Sequence, residues 1–128
     1  MDLLLDTNAF LRWVNGDEAL PMTARLAIDD VRNQVFLSAV SAWEIAIKSN
    51  IKKLSLPSPV DRYVKQYMTS NGFLWLPIEL TDIAGVEALP LHHRDPFDRL
   101  LIAQARARQL TIISSDASFS KYDVPLIA

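Results

Sequence analysis

The sequence predicts an α/β protein, a three-layer α/β/α sandwich around a central, mostly parallel sheet, built as one domain over residues 1–128. Three observations predict it. Short uninterrupted apolar runs such as Leu3-Leu4-Leu5 and Val35-Phe36-Leu37 read as strands buried on both faces. The segments between them have helical periodicity and recognisable caps. No tight-turn dipeptide joins one apolar run directly to the next, so the connections are crossovers and the strands run parallel.

Composition sets the outer limits. A chain of 128 residues, half of them apolar, can enclose a core without disulfides or structural metal. The absence of cysteine excludes thiolate catalysis and Cys-based zinc sites and is compatible with a reducing compartment. Met1 to Asp6 has no basic segment, and acid interrupts its leucines, so neither a signal peptide nor a membrane anchor is expected. A soluble, cytoplasmic protein that does not engage a membrane follows as the expectation. The formal charge of −2 argues against gripping polyphosphate by bulk electrostatics. With four acids assigned to metal ions the remaining balance turns positive, which keeps nucleic acid open as a partner.

In chain order, Leu3-Leu4-Leu5 is a strand closed by Asp6-Thr7-Asn8, and Ala9 to Val14 a helix that ends near Asn15-Gly16. Ligands of open α/β sheets sit at the carboxyl ends of strands, where Asp6 falls; Asp6 or Thr7 can equally cap the helix. Pro21 to Arg32 reads as a second helix with Ala24, Ile28 and Val31 on its buried face, followed by the strand Val35-Phe36-Leu37. Ser38 or Ser41 can cap the next helix, where Val40, Glu44, Ile47 and Ile51 share one stripe. A carboxylate on an apolar stripe must neutralise, find a cation or open into a polar site. Lys48, Lys52 and Lys53 read as a solvated basic tip favoured by the helix dipole.

Val60 to Ser70 is a further helix ended by Gly72, and Phe73 to Ile78 a third strand. Thr81 to Leu89 is a helix stopped by Pro90. The adjacent pair His92-His93 does not share a face of any regular element, so a histidine metal site is not expected. The next helix is the most strongly specified. Asp95 can cap it, Pro96 supplies the fixed φ of its first position, and Asp98 falls at the third, where a carboxylate can reach back to the cap. The capping box prefers Glu or Gln there, so Asp98 remains a candidate for chemistry while Asp95 reads as the helix cap. Thr111 to Ile113 then repeats the first theme of strand, hydroxyls and acid, ending in Ser114-Ser115-Asp116, and Val124 to Ile127 can add a short last strand.

Asp6 and Asp116 thus lie just beyond strand ends, with Glu44 and Asp98 near the starts of helices, and all four can converge at one edge of the sheet. Oxygen ligands without His or Cys suit Mg2+ or Mn2+, and the chemistry such a site favours is phosphoryl transfer with water as nucleophile.

Asp6-Thr7-Asn8 after the first strand, Glu44 within Ser41-Ala42-Trp43-Glu44-Ile45, Asp95-Pro96-Phe97-Asp98-Arg99 with Ile102-Ala103, and Ser114-Ser115-Asp116 together resemble the ordered acidic motifs of PIN-domain ribonucleases. The length and the Asp-Pro-Phe-Asp-Arg run are similar to the VapC-type toxins of bacterial toxin–antitoxin pairs. The resemblance covers essentially the whole chain. Asp98, not Asp95, matches the family's third acid, and Asp116 matches the fourth, the family's least dependable. The resemblance implies a PIN-like fold, Mg2+-dependent endonucleolytic cleavage of RNA (with Mn2+ as the alternative ion), a homodimer and inhibition by a cognate antitoxin protein. On that reading Asp6, Glu44, Asp98 and Asp116 are catalytic, and Asp6, Glu44 and Asp98 hold metal with or without Asp116. Thr7 and Asn8 orient these ligands from behind. Arg94 and Arg99 contact RNA phosphate or form an exposed ion pair with Asp95.

Three rivals remain at this stage. A haloacid-dehalogenase-like phosphatase needs a second Asp where this chain has Asn8, and a receiver domain needs a phospho-accepting Asp that Leu76-Pro77-Ile78 does not offer. The third is a non-catalytic RNA- or protein-binding module that keeps the PIN-like fold.

Overall fold

The computed structural model describes residues 1–128. Five strands form one sheet in the order β3-β2-β1-β4-β5, and every pair is parallel. The strands are β1 (Asp2–Leu5), β2 (Gln34–Ser38), β3 (Leu74–Leu76), β4 (Thr111–Ile113) and β5 (Leu126–Ile127). The helices are α1 (Thr7–Val14), α2 (Met22–Asp29), α3 (Ala39–Asn50), α4 (Val60–Asn71), α5 (Leu80–Glu87) and α6 (Pro96–Arg108), with a 3-10 turn over Ala117–Lys121. The predicted three-layer α/β/α architecture is observed.

Side-chain alternation along the strands divides the core. Leu3, Leu5, Val35, Leu37 and Ile113 face one side, under α1, α2, α3 and α4. Leu4 and Ile112 face the other, under α6, with Val86 of α5 and Phe119 of the 3-10 turn. Leu3, Leu4 and Leu5 are all completely buried, which explains why β1 is an unbroken apolar run. Each such side chain contributes roughly 1.5–3 kcal/mol of transfer free energy. Gly72 closes α4 at φ 68°, a left-handed conformation in which a side chain would be strained.

Two expectations about helix faces are corrected. Helix α2 stops at Asp29, and Val31 is 98% exposed in the turn that follows, because the chain must leave the helix to enter β2. On α3 the buried face is Val40, Ser41, Glu44 and Ile45, while Ile47 and Ile51 are exposed. The helix packs on α4, α6 and α1 as well as on the sheet, so its buried face departs from the single stripe that periodicity alone suggests.

The strand order reverses direction at β1, which has β2 on one side and β4 on the other. The carboxyl ends of β1 and β4 therefore meet at a topological switch point, where open α/β sheets place their ligands. The Asp6 amide donates to the Ile113 carbonyl at 3.1 Å, joining the two strand ends.

Candidate active site at the carboxyl edge of the sheet

Asp6 leaves β1 and caps α1, its Oδ1 accepting from the Ala9 amide at 2.7 Å. It serves both expected roles at once, as a cap and as a carboxylate at the strand end. It is only 5% exposed, and burial raises its pKa against the Ser114 hydroxyl and the Ala9 amide, with the charges of Asp116 and Glu44 adding to the rise.

Glu44 is buried on α3, as expected of an acid among core-facing residues. Thr7 Oγ1 donates to its Oε1 at 2.6 Å and lies 3.1 Å from Ser41 Oγ. Its other oxygen meets Lys48 Nζ at 2.7 Å across one helical turn. Lys48 is thus the cation that a buried glutamate requires, not simply part of a solvated tip, and the i, i+4 spacing was the signal that could have revealed it. Thr7 therefore holds the Glu44 carboxylate through its hydroxyl. Asn8 does not touch the acids: it is exposed, because it points away from the sheet on the first turn of α1.

Asp95 caps α6 through one oxygen, which accepts from the amides of Phe97 (2.9 Å) and Asp98 (3.1 Å). Asp98 does not reach back to complete a capping box, and its carboxylate accepts none of the structure's hydrogen bonds. The polar group facing it is His93 Nε2, 3.5 Å from Oδ2. Burial first, and then the charges of Asp95, Asp6, Glu44 and Asp116, push the Asp98 pKa up to about 8. The charges of four carboxylates from four separate segments therefore act on Asp98.

Asp116 is exposed and caps the 3-10 turn, its Oδ1 accepting from the amide and hydroxyl of Ser118. Those hydrogen bonds hold its pKa below the usual carboxylate range. Arg94 is exposed and unpaired, so the predicted ion pair with Asp95 is not formed. The Arg99 guanidinium is engaged within the chain, donating to the carbonyls of Pro90, Val86 and Leu89 and to the Tyr122 hydroxyl, and forms no ion pair with Asp95. Arg12, not anticipated from the sequence, donates to Ser115 Oγ at 2.7 Å and places a cation beside the loop that carries Asp116.

The donor chemistry fits a hard divalent cation, because the side chains on offer at this edge are carboxylates, whose negative charges already act on one another at Asp98. In their present rotamers no three acidic or histidine side chains form a ready-made metal-holding group. Trp43, next to Glu44, packs edge-to-face on Phe97, next to Asp98, with ring centroids 4.9 Å apart, bracing the two helices that carry those acids.

Comparison with known proteins agrees with the fold. A stretch of 48 residues is 48% identical to Ribonuclease VapC16 of Mycobacterium tuberculosis, covering 38% of this chain and 34% of that protein. The match thus spans about a third of the curated relative. The fold is similar to VapBC2 from Rickettsia felis bound to a promoter DNA fragment, at TM-score 0.73 and 14% identity over 99% of this chain and 98% of that one. It is also similar to DNA-bound VapBC from Salmonella typhimurium, at TM-score 0.69 and 15% identity over 99% and 97% of the two chains. No helix is long and apolar enough to cross a membrane. Residues 3–125 match the PIN domain model, and with the acids placed at the edge that the parallel sheet provides, the chain belongs to the PIN-domain family.

Proposed function

We propose that the protein is a Mg2+-dependent endoribonuclease of the VapC toxin type, hydrolysing RNA phosphodiesters at the edge where β1 and β4 end. The observation that carries this reading is a half-buried Asp98 at the carboxyl edge of the sheet, whose carboxylate accepts none of the structure's hydrogen bonds and feels the charges of Asp6, Glu44 and Asp116. Family membership and the identity shared with a curated ribonuclease over 48 residues support it. Asp6, Glu44 and Asp98 would hold the ion, with Mn2+ as a substitute and Asp116 at the open side of the site. When bound, the ion supplies charge that stabilises the phosphorane and acidifies water. Thr7 fixes Glu44 through its hydroxyl, and the Asp6 cap fixes that carboxylate against α1. Arg94, exposed, and Arg12, beside the Asp116 loop, are better placed than the internally engaged Arg99 to meet RNA phosphate. The test is cleavage of single-stranded RNA with Mg2+ and with chelator; folded protein that cleaves equally in both would sink the assignment.

An antitoxin partner belongs to the same reading. Trp43, Val64, Met68, Leu74 and Trp75 line an apolar groove of about 690 Å³ between α3, α4 and the edge strand β3, suited to an amphipathic helix. Phe10 and Tyr63, aromatic residues of the neighbouring helices α1 and α4, are buried in the core and take no part in it. A cation from the antitoxin directed at the acidic edge would compete with metal for the carboxylates. Trp75→Ala should weaken antitoxin binding and spare RNA cleavage, as titration calorimetry beside a cleavage assay would show. The homodimer implied by the motif resemblance is checked by light scattering.

A further inference from the structure

His93 precedes α6, and its Nε2 is the single buried side-chain nitrogen or oxygen without a hydrogen-bond partner. It stands 3.5 Å from Asp98 Oδ2. Its other nitrogen, Nδ1, is 2.9 Å from the Tyr122 hydroxyl. That hydroxyl also receives the His93 backbone N–H at 3.3 Å and Arg99 Nη1–H at 3.1 Å. A phenol has two lone pairs and one proton. Both lone pairs are taken by donors that cannot accept, so the phenolic proton goes to Nδ1. The proton of the neutral imidazole is thereby left on Nε2, facing Asp98.

The arrangement is rigid. Arg99 is held by three carbonyls at the end of α5, and Tyr122 is buried. The His93 ring packs against Tyr122 and Phe119, at centroid distances of 5.3 and 6.4 Å.

We propose that His93 is a positioning residue for the site, its Nε2–H set by Tyr122 and Arg99 to orient the Asp98 carboxylate. The proposal deepens the reading of Asp98 as a metal-holding carboxylate and rests on it. A ligand carboxylate held by a fixed donor loses little freedom when it takes up an ion, and such outer partners are worth roughly 10–100-fold in metal affinity. His93 thus enters the site not as a ligand but through a contact that sequence spacing does not show.

Two measurements test it. The first needs no metal: imidazole 15N NMR of the free protein, at a pH where His93 is neutral, should show the proton on Nε2. Tyr122→Phe should shift it toward Nδ1, and Asp98→Ala should move the Nε2 signal while leaving Nδ1 an acceptor. The second is Mg2+ or Mn2+ calorimetry on folded variants. His93→Ala should weaken binding roughly 10–100-fold. His93→Gln, which keeps an N–H donor at about the Nε2 position, should restore most of it. Tyr122→Phe should weaken binding when His93 is present and have little effect in the His93→Gln background, because an amide has no tautomer to lose. A proton on Nδ1 in the wild type overturns the proposal, and so does a folded His93→Gln no better than His93→Ala, or a Tyr122→Phe effect equal in both backgrounds. If the wild type binds no divalent ion, the metal reading fails, while the NMR result still decides whether His93 orients Asp98.

Discussion

Asp98→Asn should abolish divalent-dependent RNA cleavage, by more than roughly 100-fold, since losing even an outer-sphere partner of a metal costs about 10–100-fold. The same variant should melt higher than the wild type when metal is absent. The sign follows from the pKa. An unfolded aspartate ionises near about 4, whereas folded Asp98 holds its proton to about 8. The folded state therefore binds more protons across that interval, and stability falls as pH rises through it, by at most about 1.4 kcal/mol per pH unit. Asparagine removes the penalty, so the gap in melting temperature between variant and wild type should widen from about pH 5 to about pH 7.5. Added Mg2+ should reverse the order by stabilising the wild type more. Asp95→Ala is the control for position. It loses a cap worth about 1 kcal/mol and should melt lower while still cleaving RNA. An inactive Asp95→Ala with unchanged melting would move Asp95 into the site and overturn this division of labour.

The second large effect concerns stability. Asp82, fully buried on α5, receives both Nη groups of Arg108 from the end of α6, the second of them at 3.0 Å to Oδ2. Gln104 Nε2 adds a donor at 3.2 Å, and Gln104 Oε1 in turn accepts from the Ser38 hydroxyl. Ser38 caps α3, so one buried polar chain ties α5 and α6 to the start of the helix that carries Glu44. Removing one partner leaves an uncompensated buried charge, and Arg108→Met should cost about 3–5 kcal/mol in denaturant titrations. The lower end is expected, because the Arg108 side chain is 27% exposed. Burial raises the Asp82 pKa, but Arg108, the Glu79 amide and Gln104 outweigh it, and the net pKa is lowered. The pair's contribution is therefore complete above the unfolded aspartate pKa of about 4 and is lost as pH falls through the lower folded value. Acid unfolding should lose this component in Asp82→Asn; an unchanged acid limb would contradict it.

The strands and the acids were legible because their signals are local. Leu3-Leu4-Leu5 followed by acid specifies both a doubly buried strand and the placement of Asp6 at its end. Asp95 and Pro96 specify the start of α6 through the geometry of its first turn alone. The partners of the acids were not legible, because each depends on how elements pack. Ile47 and Ile51 look core-facing by period, yet α3 turns them outward and buries Ser41 and Ile45. Gln104 sits in an alanine-rich helix with nothing in the sequence to mark it as the centre of a buried network. Arg99 looks like a surface cation until the carbonyls at the end of α5 are brought to it. Two adjacent histidines offer no shared face, and both pack on Tyr122; what distinguishes His93 is its hydrogen bond to the Tyr122 hydroxyl and its approach to Asp98.

The nucleophile tests the central claim most directly. If the acidic edge activates water with a divalent ion, RNA should be cut only when Mg2+ or Mn2+ is present. The products should carry linear phosphate ends, and a substrate with a single 2′-deoxy sugar at the scissile position should still be cut there. Analysis of product ends from matched ribose and 2′-deoxy substrates, with and without chelator, measures all three. Chelator-resistant cleavage that leaves 2′,3′-cyclic phosphate and stops at the deoxy position would assign the attack to the RNA's own hydroxyl and contradict the account.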